Sequence, residues 1–65
     1  MYTTQDIKGD DVSVVPNLTD GTVELEETID EDGVAGDTYF TSLSPSAARK
    51  LAMQLLQAAN EVDPL

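Results

Sequence analysis

The dipeptide Asp20-Gly21 constrains the fold of this chain more than any other feature. It stands between two runs rich in β-branched residues, 12–18 and 22–29. Asp-Gly is favoured in two-residue type I′ hairpin turns, where both central residues need positive φ. Such a turn sets a register in which Thr19 pairs with Thr22, Leu18 with Val23, Pro16 with Leu25, Val14 with Glu27 and Val12 with Ile29. One face of the ribbon then carries Val12, Val14, Pro16, Leu18, Val23, Leu25 and Ile29, and the other carries Ser13, Val15, Asn17, Glu24, Glu26 and Thr28. A slip of one residue would invert both faces. Pro16 has no N–H to give to a ladder, so its strand is expected at a sheet edge. Glu27 is the one charge on the apolar face. It reads either as a site of bulging or fraying that turns the carboxylate to water, or as a partly buried carboxylate paired with Arg49 or Lys50.

A third strand is expected at 37–43, after either a tight Asp32-Gly33 turn or a longer loop over 30–36. The tight turn would set Phe40 opposite Leu25 on the apolar face and Tyr39 opposite Glu26 on the outer one. The helix that follows has clear punctuation. Ser44 is an N-cap residue, Pro45 suits the first helical position, Leu43 can staple onto Ala48, and Pro64 ends the element. Ala48, Leu51, Ala52, Leu55, Leu56, Ala59 and Val62 recur at spacings of three and four, which draws an apolar stripe. The expected fold is α+β: a three-stranded antiparallel meander with one C-terminal amphipathic helix packed on its apolar face (βββα). Residues 1–11 read as a flexible arm or as an extra edge strand, with Gly9-Asp10-Asp11 as the turn.

The chain's 65 residues make one small domain with a thin core, and no cysteine supplements it. Homodimerisation is a common remedy at this size. Without histidine or cysteine, neither a nucleophile–imidazole pair nor a zinc site can be assembled. An enzyme, a cofactor and a metal are not expected. No apolar run is long enough to span a bilayer, and Met1–Asp6 lacks the basic and apolar regions of a signal peptide, so the expected compartment is the cytoplasm.

Charge carries the functional argument. Thirteen acidic residues outnumber three basic ones, for a formal net charge of −10. Residues 44–65 balance Arg49 and Lys50 against Glu61 and Asp63, so all the excess lies on 1–43. Such a surface repels nucleic acid and anionic membranes and attracts basic proteins. Glu24, Glu26, Asp30, Glu31, Asp32 and Asp37 are the candidate contacts of a basic protein partner. Arg49 and Lys50 stand at the helix N-terminus, against the macrodipole, with the acidic sheet as the expected counter-charge. Asp30-Glu31-Asp32-Gly33 fails as a calcium loop, because Tyr39 falls where a bidentate Glu is required. Met53 falls among the polar helix positions; with Gln57 it is the candidate for self-association, although a lone exposed methionine is also ordinary.

The string LSPSAARKLAMQLLQAANEVD over 43–63 resembles the C-terminal helix of many short actinobacterial and actinophage proteins of unknown function. The match covers about a third of the chain and carries no catalytic residues. The resemblance implies a small phage or prophage product that binds a host protein in the host cytoplasm. The function expected is therefore a non-enzymatic acidic interaction module. The alternatives are a nucleic-acid mimic that occupies a basic DNA- or RNA-binding protein, and a structural homo-oligomer.

Overall fold

The computed structural model describes residues 1–31 and 34–64, with side chains described outside 30–35. Four strands, β1 (Tyr2–Gln5), β2 (Asp11–Asn17), β3 (Thr22–Glu31) and β4 (Val34–Leu43), precede one helix, α1 (Pro45–Val62). The strands pair antiparallel in sequence order, β1-β2-β3-β4. The fold is thus α+β with a C-terminal helix, on a sheet of four strands rather than three. The extra strand comes from the first residues, which a turn ties down. The Asp6 carboxylate accepts the N–H groups of Lys8 (2.8 Å) and Asp10 (3.0 Å). The Gly9 N–H donates to the Asp6 carbonyl, and Gly9 takes φ 89°. Beyond that turn Tyr2 pairs with Val14 and Gln5 with Asp11. β2 is therefore interior, contrary to the proline argument. Pro16 is tolerated because β1 reaches no further than Val14, so no strand on that side asks for its N–H.

The β2–β3 hairpin is real, but its loop has four residues. Asn17 pairs with Thr22, Pro16 with Val23, Val14 with Leu25 and Val12 with Glu27. Asn17 organises the loop: its carbonyl accepts the Gly21 N–H (2.9 Å), its side-chain Oδ1 accepts the Asp20 N–H (3.1 Å), and its Nδ2 donates to the Asp20 carboxylate (3.2 Å). Gly21 supplies a left-handed residue in this scheme, at φ 68°. Each pair moves by two residues from the two-residue-turn register, and a two-residue shift preserves which face every side chain takes. Leu18 is the exception. It leaves the apolar face for the loop and is 93% exposed.

Between β3 and β4 the register changes once. Asp30 pairs with Ala35 and Glu31 with Val34; the turn expected at Asp32 and Gly33 lies outside the described residues. Thr28 pairs with Thr38, so Gly36 and Asp37 together oppose Ile29 in a β-bulge. The extra residue reverses the faces of β4. Phe40 pairs with Glu26 on the outer face, and Tyr39 pairs with Glu27 on the apolar face, the opposite of the expected arrangement. Gly36 marks the place, since glycine inside a strand weakens it and often sits at a bulge.

α1 begins and ends as its punctuation requires. The Ser44 side chain accepts the Ala47 N–H (3.1 Å), Pro45 opens the helix, and the Asp63 N–H closes it on the Ala59 carbonyl (2.8 Å). Leu43 and Ala48 line one groove, as a hydrophobic staple should. The helix does not cover the sheet, however. Ala47, Ala48 and Leu51 are half-buried, and every later residue of α1 is exposed. Among the described residues no side chain is fully buried.

Candidate functional site

The apolar face of the sheet and the start of the helix enclose a groove of about 150 Å³. Val14, Val23, Leu25 and Leu43 form its floor, and Leu51 and Leu55 belong to its helix wall. Alternation along each strand brings the four floor residues together. The lining offers no titratable group. The groove can take apolar side chains and has no means of bond-making.

The carboxylates are found elsewhere. Glu24 and Glu26 share the outer face, where Glu24 pairs with Ser42 and Glu26 with Phe40. The Glu24 carboxylate accepts the Ser42 hydroxyl, and also the Thr22 hydroxyl at 2.8 Å. These two bonds, that of Ser42 first, hold its pKa below the ordinary glutamate value. Around it the outer face is hydroxyl-rich, with Thr3 bonded to Ser13 (3.0 Å) and Thr28 to Thr38 (3.2 Å). Asp37 is exposed in the bulge. Asp30 and Glu31 end β3, and their side chains, like the whole of Asp32, lie outside the described residues. On α1, Met53 is 73% exposed and lines a shallow surface hollow with Leu56, Gln57, Asn60 and Glu61.

Glu27 meets neither Arg49 nor Lys50. Both bases are exposed, and among the described residues neither forms an ion pair. The bulge also lies beyond Glu27, at Ile29, and does not turn it away. Instead Glu27, Asp6 and Asp10 bring carboxylate oxygens within 4.8 Å of one another. The β1–β2 turn delivers the two aspartates, and the pairing of Val12 with Glu27 delivers the third acid. Asp6 is held below the ordinary aspartate pKa, chiefly by the Asp10 N–H and further by that of Lys8. These three are the described residues able to ligate a hard cation. Exposed acids cluster in this way without one, and no site is assigned to them. The trio was legible only with β1 in place, since neither the turn nor the shifted hairpin register follows from Asp20-Gly21 alone.

Among the described residues no helix is long and apolar enough to cross a membrane. No protein-family model matches the chain, and comparisons with characterised proteins and with solved structures return no match.

Proposed function

We propose that the protein is a non-enzymatic acidic interaction module that binds a protein partner through a basic surface. Its contacts are Glu24, Glu26 and Asp37, together with Asp30, Glu31 and Asp32 of the same acidic stretch of sequence. The observation that carries the reading is the unanswered charge. The helix bases nearest to serve as internal counter-ions, Arg49 and Lys50, form no ion pair among the described residues, so the acidic two-thirds of the chain offers its field outward. The absence of histidine and cysteine, and a groove lined by aliphatic carbon, support a binding role over a catalytic one. The resemblance of residues 43–63 to small actinobacterial and actinophage proteins supports a phage-encoded modulator of a host protein, working in the host cytoplasm.

A nucleic-acid mimic needs a regular row of free carboxylates. Glu24 is engaged by Ser42 and Thr22, and Phe40 stands opposite Glu26, a mixed surface that suits a protein better than a phosphate-reading cleft. The test is capture of host proteins on the immobilised full chain, with Glu26→Gln and Asp37→Asn as comparison. A basic partner should be retained by the wild type, lost on the double variant and released by raised salt. Retention unaffected by either change would overturn the proposal.

A further inference from the structure

We infer that α1 is the interface of a homodimer, in which a second copy lays its own helix antiparallel along the Leu56 flank about a two-fold axis. This surface is separate from the acidic face, so neither reading rests on the other.

The first argument is area. The chain exposes 5430 Å². A compact globular chain of 7.0 kDa exposes about 4,000 Å². The surplus of about 1,400 Å² falls inside the roughly 1,000–2,500 Å² that each partner buries in an obligate dimer. On the Leu56 flank Met53 and Leu56 are 73 and 62% exposed, whereas Leu55 faces the sheet groove. Single exposed apolar residues are ordinary, but Met53 and Leu56 line one hollow together on this flank, which marks a contact surface.

The second argument identifies the occupant. Arg49, Leu56 and Asp63 follow one another at intervals of seven and so share a flank of the helix. Ala52 and Met53 fill the turn before Leu56, and Ala59 and Asn60 fill the turn after it. The row is therefore self-complementary when read backwards. An antiparallel copy with its axis at Leu56 sets Leu56 against the partner's Leu56, Met53 against the partner's Ala59, and Ala52 against the partner's Asn60. Large side chains meet small ones. At each end Arg49 meets the partner's Asp63. A two-fold axis demands this kind of self-matching surface. The arrangement also explains the charges that oppose the macrodipole within one chain: an antiparallel neighbour supplies the opposite charge to each end. Pairing through α1 brings together the neutral third of each chain and keeps the acidic sheets apart.

Sedimentation of the full chain at high micromolar concentration tests this directly. The expected mass is twice the 7.0 kDa of one chain. A strict monomer overturns the inference. Arg49→Glu and Asp63→Arg should each weaken association by about tenfold, counting two end pairs per dimer. Their combination should restore it. Losses that add in the double variant overturn the antiparallel register. Leu56→Cys, the sole cysteine of its chain, should form an intermolecular disulfide under mild oxidation while Ser46→Cys does not. Equal cross-linking of the two also overturns the inference. The charge and cysteine variants change exposed positions, so each can be checked for an unchanged circular dichroism spectrum before it is scored.

Discussion

Ser44→Ala tests how much of α1 depends on its own local chemistry. In a well-packed domain a lost cap is partly masked, because tertiary contacts hold the first turn in place. Here only Ala47, Ala48 and Leu51 of the helix are even half-buried, and its remaining residues are exposed. The Ser44 hydroxyl is the acceptor for the Ala47 N–H at 3.1 Å, and no acidic residue in the first turn can substitute for it. Removing it should cost the full value of a serine cap, about 1 kcal/mol. For 65 residues the unfolding entropy is about 140 cal/mol/K, so that loss lowers the melting temperature by about 7 °C. Ser44→Asp retains an acceptor and places a negative charge at the positive end of the dipole, so its Tm should equal or exceed that of the wild type. The assay is thermal unfolding followed by circular dichroism at 222 nm. All variants must be at one chain concentration, because an associating chain melts higher when concentrated. An unchanged Tm for Ser44→Ala, or a fall for Ser44→Asp, would refute the claim that the helix stands on its cap.

Gly21→Ala meets no atom within 4 Å, so its cost is backbone strain at φ 68° alone, about 1 kcal/mol by chemical denaturation, and Gly21→Asn should recover part of it. Phe40→Ser changes a 69% exposed residue on the outer face and should alter stability by less than about 1 kcal/mol, whereas Leu25→Ala in the groove floor should cost more; the reverse order would mean that Phe40 faces inward after all. Raising NaCl should raise Tm, because the acids of residues 1–43 repel one another; a fall with salt would show that they are paired. The pH dependence has two limbs. Lowering the pH towards the carboxylate range relieves repulsion and stabilises the fold. Asp6 and Glu24, however, have folded pKa values below their unfolded ones, so their contribution is present above the unfolded pKa and lost as pH falls through the folded pKa. Urea midpoints should therefore pass through a maximum and decline in the acid range, and Ser42→Ala should flatten that decline.

The parts of the fold that were legible in the sequence are those set by local chemistry. Ser44, Pro45 and the Ala/Leu stripe determine a helix without reference to anything distant, and α1 runs from Pro45 to Val62. The faces of β2 and β3 were also legible, because alternation survives any even shift in register. The loop length was not. Asn17 bonds to both Asp20 and Gly21, and that three-residue reach outweighs the two-residue preference of Asp-Gly. The strand at Tyr2–Gln5 depends on Asp6 accepting two backbone N–H groups, which is visible only as an aspartate before a glycine-containing turn. Of the candidate contacts, Glu24 and Glu26 share the outer face as read, while Asp37 sits in the bulge that reverses β4.

That bulge has consequences for the whole chain. Had the ladder run unbroken from the turn, Phe40 would have stood opposite Leu25, beneath the helix. The two residues at 36 and 37 opposite Ile29 put Thr41 there instead, beside Tyr39 on the same face. The apolar face thus exchanges the only phenylalanine of the chain for a threonine and a 58% exposed tyrosine. A buried phenylalanine is worth roughly 1.5–3 kcal/mol, a large share of the roughly 3–5 kcal/mol that a core of this size supplies. Without it, a void remains between Leu25 and Leu55, and the helix is held by little beyond its first turns. The same displacement sets an aromatic ring on the outer face opposite Glu26, where it adds an apolar contact to the acidic surface. One extra residue in β4 therefore links the weak core to the exposed helix, and the exposed helix to the association we infer.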